Sequence, residues 1–338
     1  MLSNGSLAEL APKARGAGSG SGRPGARLRR VLPTTQVAAV DFGHHHIHTA
    51  IADASGTALA ESRLDIPVDV HAVEAINLAA DMLIALADNQ RFGRLANVVA
   101  GIPGPLHSAT GVVSSPTILP GWVGLAPAAE LARRLGAPVH AENDAFLGAY
   151  GELFAGAGRG RNDFLYVKVS HGVGACPVIR GHPYRGAVGI AGEIGHTHLD
   201  GQNEVCRCGQ RGCLETAVSI HTVRRQIALA HPELDITTVP LTELDDPITR
   251  RILEDAGQTL GRVLADHCTL LNPAAIILGG ELGTAGPSLI DGVRSAVRRY
   301  ALPGIASAAD VVPAALGVRA EVTGALKLAA KLVKSPTA

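Results

Sequence analysis

"QVAAVDFGHHHIHTAIADASGTALAESRLDI", Gln36 to Ile66, decides how the rest of the chain is read. "QVAAVDFG", "HIHTAIAD" and "GTALAESRLDI" read as three consecutive strands, because each apolar run stops at a turn former, Gly43 or the Ser55-Gly56 pair. Three strands this closely spaced pair antiparallel. A glycine at such a hairpin tip often lets a nucleotide phosphate approach the backbone. Here the tip carries His44, His45 and His46 instead. Three readings stand open: a phosphate loop, a metal site, or a former phosphate loop filled by imidazoles.

Outward from the hairpin, strand and helix patterns alternate. "VHAVEAINLAADMLIALADN" has apolar residues at helical spacing, "LANVVAGIPGP" is a buried strand entering a Gly/Pro loop, and "LAPAAELARRLG" is a helix ended by Gly136. "APVHAENDAFLGAYGELFAG" reads as strand, polar turn and helix. "DFLYVKVSHGVGACPVIRG" is a second hairpin, around Gly172 and Gly174, with helices following between Val218 and Leu271. "AAIILGGELG" runs a buried strand into the Gly279-Gly280 turn, and "VRAEVTGALKLAAKLV" closes the chain as a helix. Two α/β halves, each opening with a glycine-turn hairpin, predict a duplicated lobe and a cleft between the copies.

The expected division is a basic linker over residues 1–36, an N-terminal α/β lobe over 37–142 plus 320–338, and a larger C-terminal α/β lobe over 143–319. The linker reading rests on "KARGAGSGSGRPGARLRR", rich in Gly, Ser and Arg with little to bury. "MLSNGSLAEL" before it suggests one or two turns of helix.

A chain of 338 residues has ample core to bury, and 46% hydrophobic with 18% charged residues is an ordinary globular mixture. Zero formal net charge gives no overall pull toward nucleic acid or anionic membrane. Without a membrane-length apolar run or a compact signal core, the cytoplasm is the expected compartment and no membrane partner is expected.

The sharpest local signal is "EIGHTHLDGQNEVCRCGQRGCLE". Three of the five cysteines fall within eight positions. With His196, the thiols of Cys206, Cys208 and Cys213 form the ligand set of a closed tetrahedral structural zinc site, and Gly209 and Gly212 let the backbone wrap it. The bland alternative is a set of reduced loop thiols. Glu193 and Glu215 flank this loop; carboxylates accept hydrogen bonds from sugar hydroxyls in fixed directions, although solvated loop acids look the same in sequence. In "ENDA", Asn143 and Asp144 lie where a strand hands over to a helix, a place for ligand-facing polar groups in open α/β sheets. Asp144 reads either as a general base or as the helix N-cap.

"GIPGP", "ILPGWVG", "ENDA", "YRGAVGIAGEIGH", "CRCGQRGCLE" and "IILGGELG", in this order, resemble the ROK family of repressors and sugar kinases from Val37 to the C-terminus. The resemblance implies an α/β, two-lobed actin-like (ribonuclease-H-like) fold with a structural zinc loop, usually in a homodimer. It implies that His196, Cys206, Cys208 and Cys213 hold Zn2+. It also implies that Asn143, Asp144, Glu193, His196 and Glu215 contact a hexose, with Asp144 the base in kinase members. At the nucleotide end the match fails. Kinase members carry D-x-G-G-T, where Asp41, Phe42 and Gly43 are followed by His44 and His45. Their G-T-G-x-G reads Ser170, His171, Gly172, Val173, Gly174, and the turn at Gly279 and Gly280 ends in Glu281. Imidazoles and an added anion oppose a phosphate cradle.

The expectation is therefore a sugar-sensing effector domain of a ROK-type regulator with a degenerate ATP site at Asp41, Gly43, Gly172, Gly174, Gly279 and Gly280. The alternative is an ATP- and Mg2+-dependent hexose kinase. Protonated His44, His45 and His171 attracting phosphate, and a metal on His44, His46 and His48, stay open. "MLSNGSLAELAP" resembles the end of a winged helix-turn-helix. About 36 residues cannot house that module, so DNA is a partner only through a fuller N-terminal domain. Lys13, Arg15, Arg23, Arg27, Arg29 and Arg30 read as linker charges.

Overall fold

The computed structural model describes residues 7–9, 28–30, 35–90, 92–107, 110–113, 119–236 and 239–334. Strand β1 (Leu7–Glu9) pairs antiparallel with β2 (Leu28–Arg30), Leu7 opposite Arg30. Leu7–Glu9 is thus extended where the sequence suggested helical turns, since β2 supplies a backbone partner that a short isolated helix lacks. The rest of the expected linker, with Lys13, Arg15, Arg23 and Arg27, lies outside the described residues.

The opening hairpin forms as read. β3 (Gln36–Gly43) and β4 (His46–Asp53) pair antiparallel with Gly43 opposite His46, and β5 (Ala58–Leu64) adds to β4. Every residue of β3 is buried, Gln36 and Asp41 included, which is why its apolar residues run together and do not alternate. After helix α1 (Ala72–Gln90), β6 (Leu95–Ile102) joins β3 in parallel; after α2 (Pro127–Leu135), β7 (Val139–Asn143) joins β6. Gly136 ends α2 in the left-handed region, φ 60°. The first sheet has the order β5-β4-β3-β6-β7.

Helix α3 (Asp144–Ala155) leads into a second sheet built on the same plan. β8 (Phe164–Val169), β9 (Val173–Ile179) and the short β10 (His182–Pro183) form the antiparallel part. Helices α4 (Leu214–Val218), α5 (Ile220–Ala230) and α6 (Pro247–Leu271) follow, and β11 (Ala275–Gly279) then pairs parallel with β8. Helices α7 (Gly280–Gly283), α8 (Pro287–Tyr300) and α9 (Pro303–Ala308) precede β12 (Asp310–Pro313), parallel to β11, and α10 (Ala320–Lys334) closes the chain. The order β10-β9-β8-β11-β12 repeats that of the first sheet.

Apolar residues gather in three layers. One lies under α1 on the outer face of the first sheet, around Ile51, Leu83 and Trp122; another lies under α6 and α8 on the second, around Leu260, Ile276 and Val293. The third fills the space between the sheets, where α3 and α10 meet Val37 and Val99 from one side and Tyr166 and Ile277 from the other. The two helices approach at glycines: a Cβ on Gly324 would run into the Leu147 carbonyl, and one on Gly151 into that of Ala320. Buried Glu152 ties α10's approach to this centre, accepting from the Ala157, Ala315 and Leu316 amides at 2.6, 3.1 and 2.8 Å.

Candidate functional site

Both hairpin tips, the start of α3 and the cysteine loop face one cleft of about 660 Å³. Strand β7 delivers Asn143 and Asp144 to its floor. Asn143, not Asp144, is the N-cap of α3: its Oδ1 accepts from the Phe146 amide at 3.1 Å and its Nδ2 donates to the Gly104 carbonyl at 3.2 Å. Asp144 begins the first turn, where the helix dipole favours an anion. Its Oδ1 accepts from the Ala145 amide at 2.7 Å and its Oδ2 from Lys168 Nζ at 2.9 Å.

Lys168, on β8, was not singled out by the sequence reading, nor was Glu321 at the start of α10. The ammonium lies 2.9 Å from Asp144 Oδ2 and 2.9 Å from Glu321 Oε1. Burial works against the charged amine, but Asp144, Glu321 and Asp41 outweigh it and hold Lys168 well above the usual lysine range. The only sequence signal was a lone lysine inside the apolar run "FLYVKV", where a charge must find partners.

Glu193 and Glu215 line the same cleft. Burial, and then the charges of Asp144 and Glu215, push the Glu193 carboxyl up to about 7. Glu215 Oε2 accepts from the Val173 amide at 3.1 Å and crowds the face of Gly172, so the second hairpin tip and the cysteine loop are joined through this carboxylate. Three carboxylates and His196 therefore converge at one end of the cleft, an array of acceptors suited to a polyol.

The four residues of the cysteine loop also converge. Ligand atoms of His196, Cys206, Cys208 and Cys213 lie within 4.8 Å of one another. Cys208 Sγ is 3.7 Å from Cys213 Sγ, and Cys206 Sγ is 3.6 Å from His196 Nδ1. Thiolates about 2.3 Å from a tetrahedral zinc would stand roughly 3.8 Å apart, so the donor set fits such an ion. With four protein donors the site is closed. The Nε2 edge of His196 turns instead toward Glu193, at 3.7 Å.

At the other end the cleft is filled by imidazoles. His171, from the β8–β9 tip, packs against His45 and His44 of the β3–β4 tip with ring centroids 4.6 and 5.1 Å apart, and against His221 of α5 at 4.8 Å. Burial, followed by the neighbouring histidines and Arg207, pushes His171 down to about 2, so it is a neutral ring. Three histidines of the first hairpin each have an acid of their own: His44 meets Asp69 at 2.7 Å, His46 meets Asp41 at 3.1 Å, and His48 meets Glu61 at 3.3 Å. Such separate pairing overturns a shared metal on His44, His46 and His48. His44 belongs to the turn and not to a strand face, and among the described residues only the cysteine loop gathers a metal-ligand set. The neutral state of His171 likewise opposes its attraction of phosphate as a cation.

Of the residues expected at a nucleotide site, Gly43, Gly172, Gly174 and Gly280 line the same cleft. Gly43 is covered by the His46 ring, and Gly174 faces Ala145. Gly280 takes φ +77° with its face against the Val169 carbonyl, and the face of Gly279 is closed by Tyr166. Glu281 is held by Arg224 at 2.6 Å. Among the described residues no helix is long and apolar enough to cross a membrane.

Comparisons with known proteins agree with this geometry. Residues 37–332 match the model of the ROK family. The chain is 27% identical to the xylose repressor of Bacillus spizizenii over 289 residues, 84% of this chain and 74% of that protein. It is 26% identical to the glucokinase of Thermotoga maritima over 313 residues, 88% and 98% of the two chains. Among solved structures, a ROK family transcriptional regulator homologous to the Escherichia coli MLC protein superposes with a TM-score of 0.76 at 23% identity, covering 92% of this chain and 81% of that one. A ROK family glucokinase from Streptomyces griseus, in complex with glucose and AMPPNP, also gives 0.76, at 26% identity over 88% of this chain and 99% of that one. Regulators and kinases alike share the fold. The chain belongs to the ROK family.

Proposed function

We propose that the chain is the sugar-sensing effector part of a ROK-type transcriptional regulator, and that it does not phosphorylate its ligand. The observation that carries this reading is the packing of His171 between His44 and His45, which fills the end of the cleft where a triphosphate would need open backbone. Those rings do not fit ATP.

A hexose or amino sugar would sit at the open end, its hydroxyls donating to Asp144, Glu193 and Glu215, with His196 and Asn143 at the edges. Zinc on His196, Cys206, Cys208 and Cys213 would be architectural, fixing the loop that presents Glu215. The cysteine loop also reaches the first hairpin region through Arg207, 3.9 Å from Asp69. A sugar seated between the sheets would therefore draw the 37–142 plus 320–338 lobe and the 143–319 lobe together, and so bias a homodimer's DNA-binding ends. DNA would be a partner only if a fuller N-terminal domain exists; the ribbon of β1 and β2 is the form a wing takes. The setting would be the cytoplasm.

The rival is an ATP-dependent hexose kinase, favoured by the placement of Asp144 at the start of α3. A coupled assay with glucose, N-acetylglucosamine and magnesium–ATP separates them. Turnover below detection with sugar binding intact supports the effector, whereas turnover above roughly 1 s⁻¹, the low end for kinases, establishes the enzyme.

A further inference from the structure

The cleft floor draws three acids from distant parts of the chain. Asp41 lies near the end of β3 and is almost wholly buried, Asp144 opens α3, and Glu321 is in the first turn of α10 and is buried. Buried carboxylates cannot be left to repel one another in a low-dielectric space; a bound cation or a residue of the protein has to offset them. In this chain the offset is internal. Lys168 reaches up from β8 and places its ammonium 2.9 Å from both Asp144 and Glu321, with the charge of Asp41 also acting on it. Asp41 is otherwise met by His46, and its Oδ1 is buried without a hydrogen-bond partner among the described residues.

We infer that Lys168 is a specificity-determining residue, a built-in counter-cation standing among Asp41, Asp144 and Glu321 so that the cleft admits an uncharged polyol and rejects a divalent cation with its nucleotide. Two physical consequences follow from its position. A hard dication needs the same carboxylate oxygens at 2.0–2.1 Å, and an ammonium hydrogen-bonded to them both fills that volume and repels the ion. Meanwhile both oxygens of Asp144 already accept, one from the Ala145 amide and the other from Lys168, so its carboxylate is fixed in orientation as an acceptor for a hydroxyl. The inference goes beyond the effector reading, because it concerns which cations the floor accepts and not what the protein regulates.

The test uses Mn2+ alone as the probe, followed by electron paramagnetic resonance on the full chain, with the cysteine loop first saturated with zinc, which thiolates prefer to manganese. Wild type and Lys168→Arg should leave the free Mn2+ signal unchanged. Lys168→Gln should take up one equivalent with affinity raised at least tenfold, and adding Asp144→Asn should abolish that uptake. Should Lys168→Gln fail to fold, Lys168→Gln/Glu321→Gln, which carries fewer buried charges, replaces it with the same tenfold gain expected. The inference is overturned if wild type binds one Mn2+ that Asp144→Asn removes, or if a folded variant lacking Lys168 gains none. Sugar binding, measured separately by calorimetry, decides the effector reading; its loss would leave the manganese result standing.

Discussion

At the scale of single residues, the cleft divides its side chains into those that hold and those that receive. Cys208 is a holder. Wild-type protein should carry about one equivalent of zinc by elemental analysis, and Cys208→Ser should lose it together with thermal stability, because binding free energy at a structural site is folding free energy. Glu193 would be a receiver under the proposed reading, since the charges acting on it are those of the acids Asp144 and Glu215. Above about pH 8, where the raised Glu193 carboxyl is mostly ionised, removing this charged acceptor costs about 1.5–3 kcal/mol per hydrogen bond. Glu193→Gln should therefore weaken sugar binding roughly 10- to 100-fold by calorimetry, with the fold and zinc content unchanged. Residue types and spacing made the zinc ligands legible, since three cysteines and a histidine so close together have few other uses. Lys168 and Glu321 stayed hidden for the opposite reason. They are 153 positions apart in the numbering, and only the packing of α10 across the first sheet brings them together.

At the scale of elements, strand and helix patterns transmitted well. The bounds of β3 and β4 coincide with the quoted segments, because turn formers stand at their ends. The start of α3 was misjudged by one residue. Asn143 and Asp144 are both good caps, and sequence alone does not say which side chain folds back on the Phe146 amide. Asn143→Ala should cost about 1 kcal/mol in a denaturant melt from the lost cap, and more if the hold on Gly104 matters. The hairpin tips carry a pH dependence. His171 in the folded protein is pushed down to about 2, whereas an unfolded histidine titrates near 6.5. Above that value both states are neutral and nothing is gained or lost. As pH falls below about 6.5 the unfolded chain takes the proton and the folded chain does not, so stability declines. Partial solvent contact keeps this to at most ~1 kcal/mol per pH unit. Melting temperatures between pH 7 and pH 5 should fall faster in wild type than in His171→Phe.

At the scale of the molecule, two copies of one sheet plan enclose a ligand space with opposite ends, one acidic and open, the other crowded with rings. A sugar that binds only the folded form should raise the melting temperature in proportion to the logarithm of its concentration. Magnesium–ATP should leave it unmoved, and a shift with the nucleotide comparable to that with sugar would refute the division of the cleft. Trp122, the chain's single tryptophan, is buried edge-on to Phe42 just below the first hairpin tip, so its emission offers a second readout of the same closure. The meeting of α10 with α3 at Gly324 and Gly151 has a consequence for biosynthesis. The helix α10 that covers the first sheet's inner surface is made only after the whole second sheet, so the strands of the first sheet spend that interval with an oily side bare. Burial that waits on contacts so distant in sequence forms slowly, and the bare strands are open to wrong pairing until it does.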